Sequence, residues 1–124
     1  MNAARRRMHR PTDPIAPPVF DRAALQDLFG SDTAVIDAVL CTFMQSMRTS
    51  VAELGALLAR DELPAIANIA HRAKGASRMS GALAMAQAAE SLERAAGAGD
   101  AALVHASAGE LYHQWGQLQK VCPP

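Results

Sequence analysis

The chain has 124 residues, of which 50% are apolar but only 4% aromatic, and its formal net charge is zero. This length suits one domain rather than two, and a core built from Ala, Leu and Met favours closely packed helices over a sheet. No apolar run reaches the roughly 18 residues of a membrane span, and no glycine-rich phosphate loop follows a strand-like run, so we expect a soluble domain without a nucleotide site.

The first 19 residues differ from the rest in charge and composition. They hold four arginines against one aspartate, net +3, which leaves eight basic and eleven acidic residues, net −3, in the remainder. Their four prolines favour an extended backbone, so we predict a disordered basic tail or linker over residues 1–19 and a folded domain over residues 20–122. A short arginine cluster beside prolines is more typical of a linker than of a binding arm, so we expect no nucleic-acid partner and no membrane contact.

Capping residues and apolar spacing predict a short helix followed by a long one. Asp21 can cap the short helix, which carries Leu25 and Leu28 on one side and ends at Gly30. This helix is expected to act as a lid. The long helix begins at residue 31 or 32 and extends to about residue 60. Its apolar positions alternate by three and four, as in a bundle seam: Ile36, Leu40, Phe43, Met47, Ser50/Val51, Leu54 and Leu58.

Three further helices follow. Pro64 fits the first turn of the third helix, which should stop at Gly81. The fourth ends in the glycine-rich residues 97–99, and Asp100 can cap the fifth. Long helices with short connections predict an all-α fold, an antiparallel four-helix bundle with a short N-terminal lid helix. The expected inward stripe of the last helix is Val104, Ala108, Leu111, Trp115, Leu118 and Cys122.

The third helix presents a histidine on its outward face. At about 100° per residue, its small and apolar positions fall within roughly 50° of one direction, whereas His71 lies about 150° away. Lys74, Gly75 and Arg78 share the side of His71, at helix spacings that bring side chains together. Glycine inside a helix costs about 1 kcal/mol against alanine, which indicates that Gly75 serves access to the imidazole. The inward positions are Ile66, Ile69, Ala70, Ala73, Ser77 and Ser80.

A longer motif continues from this face into the next helix. It comprises His71, Lys74, Gly75, Ser77, the pair Gly81–Ala82, and then Ala89, Leu92 and Glu93. With this motif the sequence resembles, over roughly residues 20–115, the histidine phosphotransfer (HPt) domains of bacterial phosphorelays. The form Lys-Gly-Ala-Ser-Arg-Met is most similar to the modules at the C-terminal end of hybrid sensor kinases. Ser80 departs from the pattern, because the family usually has Leu, Val or Ile there.

The resemblance implies a phosphorelay intermediate of two-component signal transduction. His71 would accept a phosphoryl group from the aspartyl phosphate of a receiver domain and pass it to a response-regulator aspartate. Lys74 would stabilise the phosphoryl group, with Arg78 as an auxiliary cation. The expected partner-docking residues are Asn68, Arg72 and Gly75.

The resemblance also implies which activities and metal ions other proteins must supply. It would have no ATP-dependent kinase activity and no cofactor or metal of its own, since the receiver would bring Mg²⁺. The expected partners are response-regulator receivers and the receiver of an upstream hybrid sensor kinase, of which this chain could be an excised piece. We expect a cytoplasmic monomer. The alternative is a helical adaptor that docks a receiver or kinase domain without being phosphorylated, and the pairing of His71 with Lys74 argues against it.

Other candidate sites are weaker. The spacing of His105 and His113 puts them about 80° apart around the last helix, which does not suit a zinc pair. Glu90 and Glu93 are interpreted as ordinary helix-surface charge. Cys41 is expected to be a small packing residue, and with Cys122 it forms no metal or redox motif. Most of the methionines at helical spacing are expected in the core: Met44, Met47, Met79 and Met85.

Overall fold

The computed structural model describes residues 16–122, and this part of the chain contains helices and no strand. The all-α class is therefore confirmed. None of these helices is both long and apolar enough to cross a membrane. The five helices are α1 (Arg22–Phe29), α2 (Thr33–Ala59), α3 (Leu63–Met79), α4 (Leu83–Gly97) and α5 (Ala101–Val121).

The helix starts follow the capping residues that the sequence offers. The Asp21 carboxylate accepts hydrogen bonds from the backbone of the first turn of α1, at 3.0 and 3.4 Å. Asp32 does the same for α2 at the same two distances, so Asp32 rather than Ser31 is the cap. Asp100 accepts one bond of 3.0 Å from the Leu103 amide at the start of α5. Each aspartate satisfies amides that the helix itself leaves without a partner.

Consecutive helices pack against one another, α2 on α3, α3 on α4 and α4 on α5. The inward stripe predicted for α5 and the six inward positions of α3 and its cap are all buried. Met44, Met47 and Met85 are in the core, whereas Met79 is 55% exposed at the rim. Cys41 is exposed, so its prediction as a packing residue is wrong, and of the two leucines on one side of α1 Leu25 is buried while Leu28 is 53% exposed.

A short segment before α1 fastens it to the turn between α3 and α4. The Asp21 amide donates to the Gly81 carbonyl, and the Ala84 amide donates to the Pro18 carbonyl, both at 2.8 Å. Gly81 has φ +76°, and a Cβ there would lie 2.5 Å from the Asp21 carbonyl oxygen, so both the turn and the close approach require glycine. Pro18 thus contacts the domain, although its residue type places it in the predicted tail. An extended proline backbone suits this connecting segment, residues 18–21. Residues 1–15, which make up most of the predicted tail, lie outside the described residues.

Candidate functional site

His71 lies on the outer face of α3, as the periodicity predicts. Its side chain is 67% exposed, while Ala70 and Ala73 on either side of it point into the core. Burial of the opposite stripe fixes the rotation of α3 about its own axis, because turning the helix would expose that stripe to water. The fold therefore holds the imidazole at the surface.

One carboxylate from the neighbouring helix contacts both residues of the predicted catalytic pair. Glu93 of α4 places Oε2 2.9 Å from Nδ1 of His71 and Oε1 2.8 Å from Nζ of Lys74. The Lys74 side chain is only 17% exposed, and its ion pair with Glu93 links α3 to α4. The three side chains form a connected cluster, which we call the His71–Glu93–Lys74 cluster.

The electrostatics keep Glu93 ionised. The hydrogen bond from Lys74 is the main cause that lowers the pKa of Glu93; partial burial opposes it, and the hydrogen bond with His71 lowers the pKa by a smaller amount. Because this pKa lies below the ordinary glutamate value, the carboxylate stays charged in mild acid. Its contribution to stability is present above the unfolded pKa and is lost only as the pH falls through the lowered one.

This contact decides which ring nitrogen is available for chemistry. An ionised carboxylate only accepts hydrogen bonds, so a neutral imidazole must carry its proton on Nδ1 to satisfy Glu93. The lone pair is then on Nε2, to which no side chain of residues 16–122 is hydrogen-bonded. Glu93 therefore selects a tautomer in which Nε2 carries the free lone pair, on a side chain that is 67% exposed.

The other predicted site residues do not belong to the His71–Glu93–Lys74 cluster. A Cβ on Gly75 would meet no atom within 4 Å, so internal packing does not demand glycine there. Asn68 and Arg72 are exposed on α3. Arg78 contacts Glu90 rather than the cluster, with Nη2 3.5 Å from Oε1 of that glutamate. The structure thus brings His71 and Lys74 together through Glu93 and pairs Arg78 elsewhere.

Glu93 is the site residue that the sequence interpretation undervalued. The sequence interpretation treated Glu93 as helix-surface charge, which would pair with a residue of its own helix. Glu90 makes such a pair, with Arg94 four residues later at 3.4 Å. Glu93 instead reaches across to α3. The signal that could have found it was its place in the motif with His71, because spacing along one helix does not reveal contacts between helices.

The other two histidines of residues 16–122 make their contacts outside this cluster. His105 places Nε2 2.8 Å from Oδ1 of Asp61, and His113 lies 3.5 Å from the Gln117 amide nitrogen. Both are exposed, in agreement with their interpretation as surface residues. Within residues 16–122, no three His, Cys, Asp or Glu side chains are grouped so that they could hold a metal ion.

Comparison with known proteins supplies the family. The model of the Hpt domain matches residues 38–121, about two thirds of the chain, including all of α3 and α4. The chain belongs to the Hpt domain family. Hpt domains are phosphotransfer modules of two-component signalling rather than kinases, and they interact with receiver domains. No curated protein and no solved structure matches the chain.

Proposed function

We propose that His71 accepts a phosphoryl group from an aspartyl phosphate on one receiver domain and passes it to the aspartate of another. The observation that carries this proposal is the bond between Nδ1 of His71 and Glu93, which leaves Nε2 exposed with its lone pair. In the proposal the protein is a monomeric, cytoplasmic carrier, and Mg²⁺ is bound by the receiver.

The transfer step follows from this tautomer. The Nε2 lone pair attacks phosphorus, the bond from phosphorus to the aspartyl oxygen breaks, and the aspartate leaves as a carboxylate. The imidazole keeps its Nδ1 proton and becomes a phosphorylated imidazolium, whose positive charge is next to Glu93. The second transfer reverses these bond changes on the other receiver. Glu93 is thus a positioning residue that also stabilises the charge developing on the ring.

Lys74 has two electrostatic partners in this scheme. Before transfer it neutralises Glu93, at 2.8 Å, so the carboxylate does not repel an incoming phosphoryl group. During transfer its flexible stem lets the ammonium follow the charge that spreads over the phosphoryl oxygens. Both effects favour the transfer state.

A groove near the C-terminal end of α3 offers a docking surface for the receiver. It has a volume of about 470 Å³ and is lined by Phe29, Val39, Phe43, Ala76 and Met79, among others. Met79 is eight residues after His71 and about 80° around α3 from it, so the groove lies beside the face of α3 that carries the site. An exposed apolar surface next to a reactive group is typical of a protein interface, and we assign it to the receiver.

We further infer that α2 to α5 form an antiparallel four-helix bundle with α1 as its lid. Connections of three residues each, 60–62, 80–82 and 98–100, join helices that pack on one another, which supports this arrangement. The hydrogen bond from the Asp21 amide to the Gly81 carbonyl supports a fixed position for α1.

A direct test is incubation of the protein with a receiver that carries radiolabelled aspartyl phosphate. The label should move to His71 and then to a second receiver, and it should be labile to acid and stable to alkali. A protein that binds the receiver but never acquires label would contradict the proposal and favour the adaptor.

Glu93→Gln is expected to slow transfer about 10- to 100-fold, because the amide lacks the charge that orients and stabilises the ring. The population of the Nδ1-protonated tautomer, measured from histidine ¹⁵N shifts, should also fall. Glu90→Gln is the matched control, since Glu90 lies on the same helix and contacts two arginines instead. If both variants keep the wild-type tautomer and rate, Glu93 has no positioning role.

Lys74→Ala is expected to reduce the transfer rate about 10- to 100-fold, the usual effect of losing a hydrogen bond to a charged group. The fold should persist, because an ion pair at a partly exposed position contributes little stability. Stopped transfer assays measure the rate, and circular dichroism measures the fold. Lys120→Ala, at an exposed position on α5, is the control. Equal rates for the two variants would remove Lys74 from the mechanism.

Met79→Gln is expected to raise the Kd for the receiver about tenfold through the loss of apolar contact. Leu103→Gln changes a side chain of similar exposure on α5, 51% against 55%, and should leave the Kd unchanged. Isothermal calorimetry of both variants tests the assignment. A Kd that both variants raise equally, or that neither raises, would place the docking surface elsewhere.

A further inference from the structure

The two cysteines of the chain line the same surface pocket, although they are 81 positions apart in sequence. The pocket has a volume of about 440 Å³ and lies between α2, the start of α1 and the end of α5. Phe20 and Leu40 supply apolar surface, and Arg22 and Asp37 also line it. None of these residues belongs to the His71–Glu93–Lys74 cluster, so the proposed phosphotransfer does not account for the pocket.

The two thiols differ in exposure. Cys41 is exposed on α2, where a dissolved oxidant can reach its sulfur. Cys122 is buried, and burial raises the pKa of its thiol in spite of the nearby positive charge of Arg22. Oxidation should therefore begin at Cys41, with Cys122 as the thiol that reacts second.

The position of Cys122 makes the second step feasible. Cys122 directly follows the last residue of α5, its amide donates to the Leu118 carbonyl at 2.8 Å, and its side chain belongs to the buried core. Moving its sulfur toward Cys41 therefore requires the end of α5 to adjust and the Cys122 side chain to leave its core contacts, while the rest of α5 stays packed.

We propose that Cys41 and Cys122 are a redox modification site that closes to an intramolecular disulfide when a peroxide is present. The peroxide oxidises the Cys41 thiol to a sulfenic acid and releases one water molecule. The Cys122 sulfur then attacks the Cys41 sulfur, the sulfur–oxygen bond breaks, and the second water molecule leaves with the thiol proton. The two thiols lose two electrons and two protons to the peroxide, and the disulfide ties the end of α5 to α2.

The test treats the full chain with hydrogen peroxide, alkylates the remaining thiols and digests without reductant. The oxidised protein should be monomeric and about 2 Da lighter, and trypsin should release residues 23–48 joined to residues 121–124. Closing so long a loop should also raise the melting temperature on the order of 10 °C, and a reductant should reverse the change.

Cys41→Ser and Cys122→Ser should each abolish the linked peptide. Because Cys122 is buried, Cys122→Ala provides a second variant whose side chain suits an apolar site. Peroxide that converts Cys41 to a sulfinic acid while Cys122 stays alkylatable would overturn the proposal. So would a dimer linked through Cys41, or two thiols that both remain reduced.

Discussion

Replacing His71 with glutamine is expected to abolish phosphoryl transfer while the melting temperature stays within about 2 °C of the unchanged protein. Glutamine has no ring nitrogen that can form a bond to phosphorus, so no slower version of the same step remains. The fold should be unaffected, since the imidazole is 67% exposed and its contact with Glu93 is a surface contact. Radiolabel transferred from a phosphorylated receiver measures the chemistry, and thermal unfolding followed by circular dichroism measures the fold.

The matched control for this variant is His113→Gln. His113 is exposed on α5 and makes only a 3.5 Å contact with Gln117, so its loss should change neither label nor stability. Label on the His71→Gln protein at the level of the unchanged protein would refute the assignment of His71. The pair also separates a carrier from an adaptor that only docks, because an adaptor would bind and signal equally well with either substitution.

Features set by local sequence were predicted well. The Asp21 and Asp100 caps and the stop at Gly81 each depend on a few neighbouring residues, and the helix bounds in the structure follow them. The outward position of His71 has the same kind of origin, since the spacing of small and apolar residues within one helix determines which face is buried.

Features set by the contact of two helices were predicted poorly. Glu93 reaches His71 from 22 residues away, and the register of α4 against α3 decides whether Glu93 or Glu90 meets the site. Arg78 shares the face of His71 and still pairs with Glu90 of α4, three residues before Glu93. Cys41 is exposed although it was expected to pack, because residue spacing within one helix does not show which positions a neighbouring helix covers. The motif shared with a family carried information that periodicity did not.

Gly75→Leu is expected to affect stability and function in opposite directions. Leucine should stabilise the helix by about 0.5–1 kcal/mol, and it has room in the isolated protein because a Cβ at this position meets no atom within 4 Å. Transfer should nevertheless fall about 100-fold, since a side chain one turn after His71 occupies the space through which a receiver must bring its phosphoryl group. Receiver affinity, transfer rate and melting temperature measured on one preparation test the three expectations together.

Gly109→Leu is a closely matched control, because Gly109 is also exposed inside a helix and its Cβ would also meet no atom within 4 Å. Both variants should gain stability for the same reason, the lower conformational entropy of the unfolded chain and a better helix propensity. Only Gly75→Leu should lose transfer and receiver binding. Undiminished affinity in Gly75→Leu would show that the absence of a side chain there does not serve access, and an equal loss in Gly109→Leu would show that added bulk acts through the fold. The difference between the two variants therefore measures the steric requirement at the His71 face separately from the stability of α3.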